Sequence, residues 1–127
     1  MSEDVKFKGI AITDEDRTFT KDFGKDLGSF SLMIPLPYEK SHIFSATSRA
    51  INGADVKSLP SSDYEYIRMV VTMNSVITNS PSWWDGADKC PDDDFIIQLW
   101  RWYLDCEKEF ATRVKSKTKG KNLEGSK

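Results

Sequence analysis

The sequence predicts a small, mainly α-helical α+β domain: three helices, the last one long, led by a short N-terminal strand or hairpin. Three observations predict it. Residues 91–115 repeat apolar side chains at helical spacing, residues 28–37 alternate with a period of two, and two intervening stretches carry shorter helical stripes with start and stop signals. A chain of 127 residues can bury a single core without disulfide or metal support. At 39% hydrophobic and 30% charged residues, it is too apolar for a disordered protein. One domain is therefore expected, divided into a charged N-terminal segment with weak strands (1–27), a helical domain led by a strand (28–115) and a basic disordered tail (116–127).

The elements follow in order. Val5 and Phe7 alternate, as do Ile10 and Ile12, which suits a short strand or hairpin, and Thr13-Asp-Glu-Asp-Arg reads as a turn. Phe30, Leu32 and Ile34 face one way and Ser29, Ser31 and Met33 the other, the pattern of a half-buried strand. Pro35 and Pro37 end it, because proline lacks a ladder N–H. Residues 38–51 read as a helix with Ile43, Ala46, Thr47, Ala50 and Ile51 on one face, stopped by Asn52-Gly53. Residues 54–59 connect. Pro60-Ser-Ser-Asp opens the next helix, where Ser61 or Ser62 can cap and Asp63 suits the positive end of the dipole. Its stripe is Tyr66, Ile67, Val70, Met73 and Ile77, ending near Asn79-Ser-Pro. The β-branched run Val70, Val71, Thr72 means that burial must hold it. Trp83-Trp84-Asp85-Gly86 then forms a loop.

The final helix has Pro91 as a first-turn residue and Asp92, Asp93 and Asp94 at its positive end. Phe95, Leu99, Trp102, Tyr103, Cys106 and Phe110 form one apolar arc, flanked by Ile96 and Val114, while Gln98, Arg101, Asp105, Lys108 and Thr112 oppose it. Ile97, Trp100 and Leu104 make a second stripe, so the helix needs two partners. Lys115, Lys117, Lys119 and Lys121 suit the negative helix end, and Gly120 marks the start of the expected tail.

Several chemistries lack support. The single histidine, His42, has no nucleophile or orienting carboxylate beside it in a triad-like pattern and reads as a surface or capping residue. Cys90 and Cys106 are not a close ligand pair of the structural zinc type, and Cys106 sits in the apolar arc as a buried thiol. Asp92-Asp93-Asp94 lacks the alternating oxygen ligands, glycine and late glutamate of a calcium loop. No phosphate-binding glycine motif occurs. No cofactor, metal or catalytic residue is expected, and the protein reads as non-enzymatic. A net charge of −2, and a lysine-rich end without interleaved aromatics, argue against nucleic acid as a partner. No stretch approaches the ~18 apolar residues of a membrane span, and Met1-Ser-Glu-Asp does not open like a secretion signal. Two cysteines fit a reduced cytoplasm.

Trp83, Trp84, Trp100 and Trp102 exceed what one small core needs, and tryptophan is enriched at interaction hot spots. Trp84, Ile97, Trp100 and Leu104 are the candidate partner-binding residues, with core packing as the competing explanation.

Read in order, Leu27-Gly-Ser-Phe-Ser-Leu-Met-Ile-Pro, Arg49-Ala-Ile-Asn-Gly, an Asp63-led helix running into Asn79-Ser-Pro-Ser-Trp-Trp, and Leu99-Trp-Arg-Trp-Tyr with Glu107 and Phe110 resemble small proteins from the tail-gene region of long-tailed bacteriophages, the tail assembly chaperones. The resemblance spans residues 27–114 and is one of order and landmark type. It implies a non-enzymatic, phage-encoded protein of the infected host cytoplasm that shields the tape-measure protein until tail-tube subunits polymerise around it. Its implied partner is the tape-measure or tail-tube protein, or a further copy of itself. The alternative is a structural virion component, a neck or tail-completion protein joined into a ring.

Overall fold

The structure, a computed structural model, describes residues 5–51 and 61–125, with side chains for residues 6–51 and 63–118. The elements run β1 (Val5–Phe7), β2 (Ile10–Ile12), α1 (Asp14–Arg17), β3 (Thr18–Asp22), β4 (Ser29–Met33), α2 (Pro37–Ala50), α3 (Ser61–Val76), β5 (Ile77–Asn79) and α4 (Asp93–Gly125). The protein is 60% helical with small antiparallel sheets and a long C-terminal helix, the α+β class expected. The expected stop at Asn52-Gly53, the connector 54–59, Pro60 and the capping side chains of Ser61 and Ser62 lie outside the described residues.

The N-terminal hairpin closes through Lys8 and Gly9, both at positive φ (53° and 79°), as a two-residue hairpin turn demands. The Thr13–Arg17 cluster, expected as a turn, forms a helical turn, α1. A capping box holds it: Thr13 Oγ1 accepts from the Asp16 N–H at 3.2 Å, and Asp16 Oδ2 accepts from the Thr13 N–H at 2.8 Å. Arg17 follows, 5% exposed, with Nε donating to the Ile34 carbonyl at 2.9 Å and Nη2 to Glu39 Oε1 at 2.6 Å. Glu39 also accepts from the Leu36 N–H at 2.8 Å, so one carboxylate caps α2 and neutralises the buried guanidinium.

The main sheet has the order β3-β4-β5, all antiparallel. Phe30 and Leu32 of β4 are fully buried and Ile34 nearly so, as their alternation predicts. The expected boundary between residues 27 and 28 falls inside the β3–β4 connection, so the N-terminal segment is paired into the sheet. Gly28 (φ +87°) must be small there, because a Cβ would sit 2.7 Å from Pro81 Cγ.

α2 starts with Pro37 at its first turn, where a missing N–H costs nothing. α3 differs from the stripe expected for it. Its enclosed residues are Thr72, Met73 and Val76, whereas Tyr66 is exposed and Ile67 and Val70 are half-buried. The helix stops at Val76, and Ile77 pairs with Leu32 as a third strand. β4 offers an unpaired edge there, and the β-branched Ile77-Thr78 pair suits an extended ladder better than a last helical turn.

α4 starts at Asp93 rather than at Pro91. Asp92 Oδ1 accepts from the Asp94 N–H at 3.0 Å as an N-cap, and Asp93 Oδ1 accepts from the Tyr66 hydroxyl at 2.8 Å, tying α4 to α3. The expected arc is correct in its inner members: Phe95, Ile96, Leu99, Trp102, Tyr103 and Cys106 are buried, while Phe110 is half-buried. They pack against Phe30, Leu32, Ile34, Met73, Val76 and Ala87. The helix then continues to Gly125 over the stretch expected as a disordered tail, 33 residues in all and ~50 Å long. Two of its basic residues bond to the N-terminal segment. The Arg113 guanidinium lies 4.1 Å from the Phe19 ring centre and donates to the Asp16 carbonyl at 3.1 Å, and Lys117 Nζ reaches the Ala11 carbonyl (3.2 Å) and Asp16 Oδ2. These bonds hold the N-terminal segment against the distal half of α4.

Candidate functional site

Three helices converge on one groove. From α2 it takes Lys40, Ile43, Phe44 and Thr47, and from α4 Trp100, Tyr103, Leu104 and Glu107. Both sets follow i, i+3, i+4, i+7, the spacing of one helix face. From α3 come Tyr64, Arg68 and Thr72 at i, i+4, i+8. The groove holds about 230 Å³, below the roughly 300 Å³ at which small-molecule sites begin.

Its floor is buried (Thr47, Thr72, Tyr103), and Ile43, Phe44, Trp100 and Leu104 give its walls their apolar contact surface. Phe44 stands on the α2 wall at 61% exposure. Trp100 forms the opposite wall, half-buried, 5.5 Å from the Tyr103 ring and with the Arg68 guanidinium 5.4 Å over its face. The polar groups within are partly spent on one another. The Tyr103 hydroxyl donates to Glu107 Oε2 at 2.8 Å. Burial, reinforced by that carboxylate, pushes the Tyr103 pKa up, so the phenol stays protonated. Thr47 Oγ1 donates to the Ile43 carbonyl at 2.9 Å. What the groove offers is apolar contact rimmed by two cations, Lys40 and Arg68.

The four expected contact residues separate. Trp100 and Leu104 line the groove. Ile97 is half-buried and outside its lining. Trp84 lies outside the groove lining, half-buried and packed edge-on against Phe30 (5.1 Å between ring centres) and Phe95 (6.2 Å). That aromatic cluster extends through Phe23 to Trp102, which is buried. Trp83 is 44% exposed, yet its Nε1 donates to the Leu27 carbonyl at 2.8 Å, fixing the loop on the β3–β4 turn. So three of the four tryptophans lie away from the groove, and Trp100 lines it while also packing against the core.

Sequence reasoning missed Phe44, Tyr64, Arg68 and Lys40. The Lys40, Ile43, Phe44, Thr47 spacing is present in the chain, but the stripe through Ile43, Ala46, Thr47, Ala50 and Ile51 masks it, because that helix uses two adjacent faces. His42 is exposed on α2, its ring 6.5 Å from that of Tyr38. Cys106 is buried and Cys90 half-buried, both free thiols. Burial pushes the Cys106 thiol up to about 11. Among the described residues, no three His, Cys, Asp or Glu side chains gather as a metal site, and no helix is long and apolar enough to cross a membrane.

A second hollow lies between α2 and the β4–α3 side, but Arg17, the charge at its base, is already committed to Glu39 and Ile34. No protein-family model, curated protein or solved structure matches the chain.

Proposed function

We propose that the protein is a non-enzymatic binding protein whose three-helix groove receives an amphipathic helix of a partner chain, and that it acts as a bacteriophage tail assembly chaperone for the tape-measure protein. One observation carries the binding reading: Phe44 and Trp100 flank an apolar groove, too small for most metabolites but suited to one or two large side chains. A partner helix would insert anchors at i and i+4 between them. The chaperone assignment rests on the order of sequence landmarks described above, and a groove for an amphipathic helix supports it, because a tape-measure protein is long and helical.

The test combines Trp100→Glu and Phe44→Glu with circular dichroism and with co-purification of the tape-measure protein from infected cells. Folded variants that lose the tape-measure protein are expected. Undiminished co-purification by both variants overturns the groove as the binding site. Recovery of the protein as a stoichiometric part of purified particles, without tape-measure binding, would replace the chaperone by the virion component.

A further inference from the structure

Resting on the reading that the groove receives a partner helix, we propose that the helix it selects is acidic: an apolar anchor seated between Phe44 and Trp100, flanked by a carboxylate that reaches Arg68 and Lys40. The whole chain carries a net charge of −2, yet the groove lining holds two cations and one anion, with Glu65 beside Arg68 just outside the lining. That anion, Glu107, is occupied by the Tyr103 hydroxyl at 2.8 Å.

Both cations are weakly committed. Lys40 Nζ stands 4.0 Å from Glu107 Oε2, the outer limit of an ion pair, and half of its side chain is exposed. Arg68 pairs with Glu65 at 3.6 Å, with side chains 43% and 54% exposed, an arrangement of little net value in water. A partner carboxylate can displace either contact at small cost. Arg68 is also well aimed. Its guanidinium lies 5.4 Å from the Trp100 ring centre, which keeps it beside the groove, and the 3.6 Å contact with Glu65 is the ion pair that competes for the paired hydrogen bonds a carboxylate accepts. Lys40, on the opposite wall, gives a second positive point. A basic helix would meet like charge on both walls, so the rim discriminates by repulsion as well as attraction.

The probes are two synthetic helical peptides with the same apolar face, Leu and Phe at i and i+4, flanked by Glu in one and Lys in the other. Binding to the full chain is followed through the Trp100 indole N–H resonance. The Glu peptide is expected to bind about tenfold more tightly at low salt, with the advantage shrinking as salt screens it. Lys40→Gln with Arg68→Gln, at an exposed and a half-buried position, should abolish the preference while the apolar contact persists. Equal affinity for both peptides, with Trp100 still perturbed, overturns the acidic preference and leaves the groove as a helix site. If neither peptide moves the Trp100 resonance, the helix-binding reading falls with it.

Discussion

The contact between Lys117 and Asp16 is the point at which the two ends of the described chain meet, and a double-mutant cycle can measure it. Lys117→Met keeps the aliphatic stem and removes the charge, and Asp16→Asn keeps an oxygen for the Thr13 capping box. The Asp16 side chain is 17% exposed and that of Lys117 37%. An exposed pair is worth about 0.2–1 kcal/mol, and a hydrogen bond to a buried charge about 1.5–3 kcal/mol. Partial burial places the coupling between these ranges, at about 1 kcal/mol. It should appear in urea denaturation at pH 7, and as faster amide exchange of residues 113–118 in each single variant. The coupling depends on pH in one direction. The Lys117 hydrogen bond, helped by Thr13, holds the Asp16 carboxyl below its ordinary 3.8. A depressed carboxyl pKa contributes stability that is complete above the unfolded value and lost as pH falls through the lower native one. The coupling should therefore persist at pH 5 and fade below pH 3.8. A coupling within the ~0.3 kcal/mol error of additivity, with exchange unchanged, would refute the idea that these bonds hold α4 against the N-terminal segment.

Four further outcomes are expected. Leu99→Ala, at a fully enclosed site, should cost about 2–5 kcal/mol in chemical denaturation. Leu104→Ala, half-buried on the groove wall, should cost clearly less and act mainly on partner binding. Gly28→Ala should destabilise by about 1–3 kcal/mol in a thermal melt, since it combines positive φ with a Cβ pressed onto the Pro81 ring. In the native protein at pH 8 a thiol reagent should label Cys90 and spare Cys106, whose burial raises its pKa to about 11; denaturant should then expose the second thiol.

Much of the fold was legible where a local pattern coincides with the final environment. The period of two in Phe30, Leu32 and Ile34 marks a strand covered on one face, and β4 is that strand. The inner arc of α4 was equally plain, because a helix packed on one core shows its burial at helical spacing. The errors share a cause in tertiary partners. Ile77 continues a helical stripe, but an open edge on β4 captures it. Lys117 and Thr118 read as part of a solvated tail, yet one is bonded to Asp16 and the other is buried in a helix that continues past them. The candidate site was half visible. Trp100 and Leu104 stood out as a second stripe on α4. Phe44 and Arg68 did not, because nothing in the spacing of α2 or α3 says which neighbour each face meets.

The chain by itself determined the fold class, the central strand and the core face of the long helix. Periodicity records which side of an element is buried, and residue chemistry records where an element can start. Only the tertiary structure decided how the tryptophans divide, with three away from the groove and Trp100 on its wall. It alone placed Lys40 and Arg68 across that groove and Lys117 on Asp16. Those relations join residues far apart in sequence, and local pattern carries no information about distance through space.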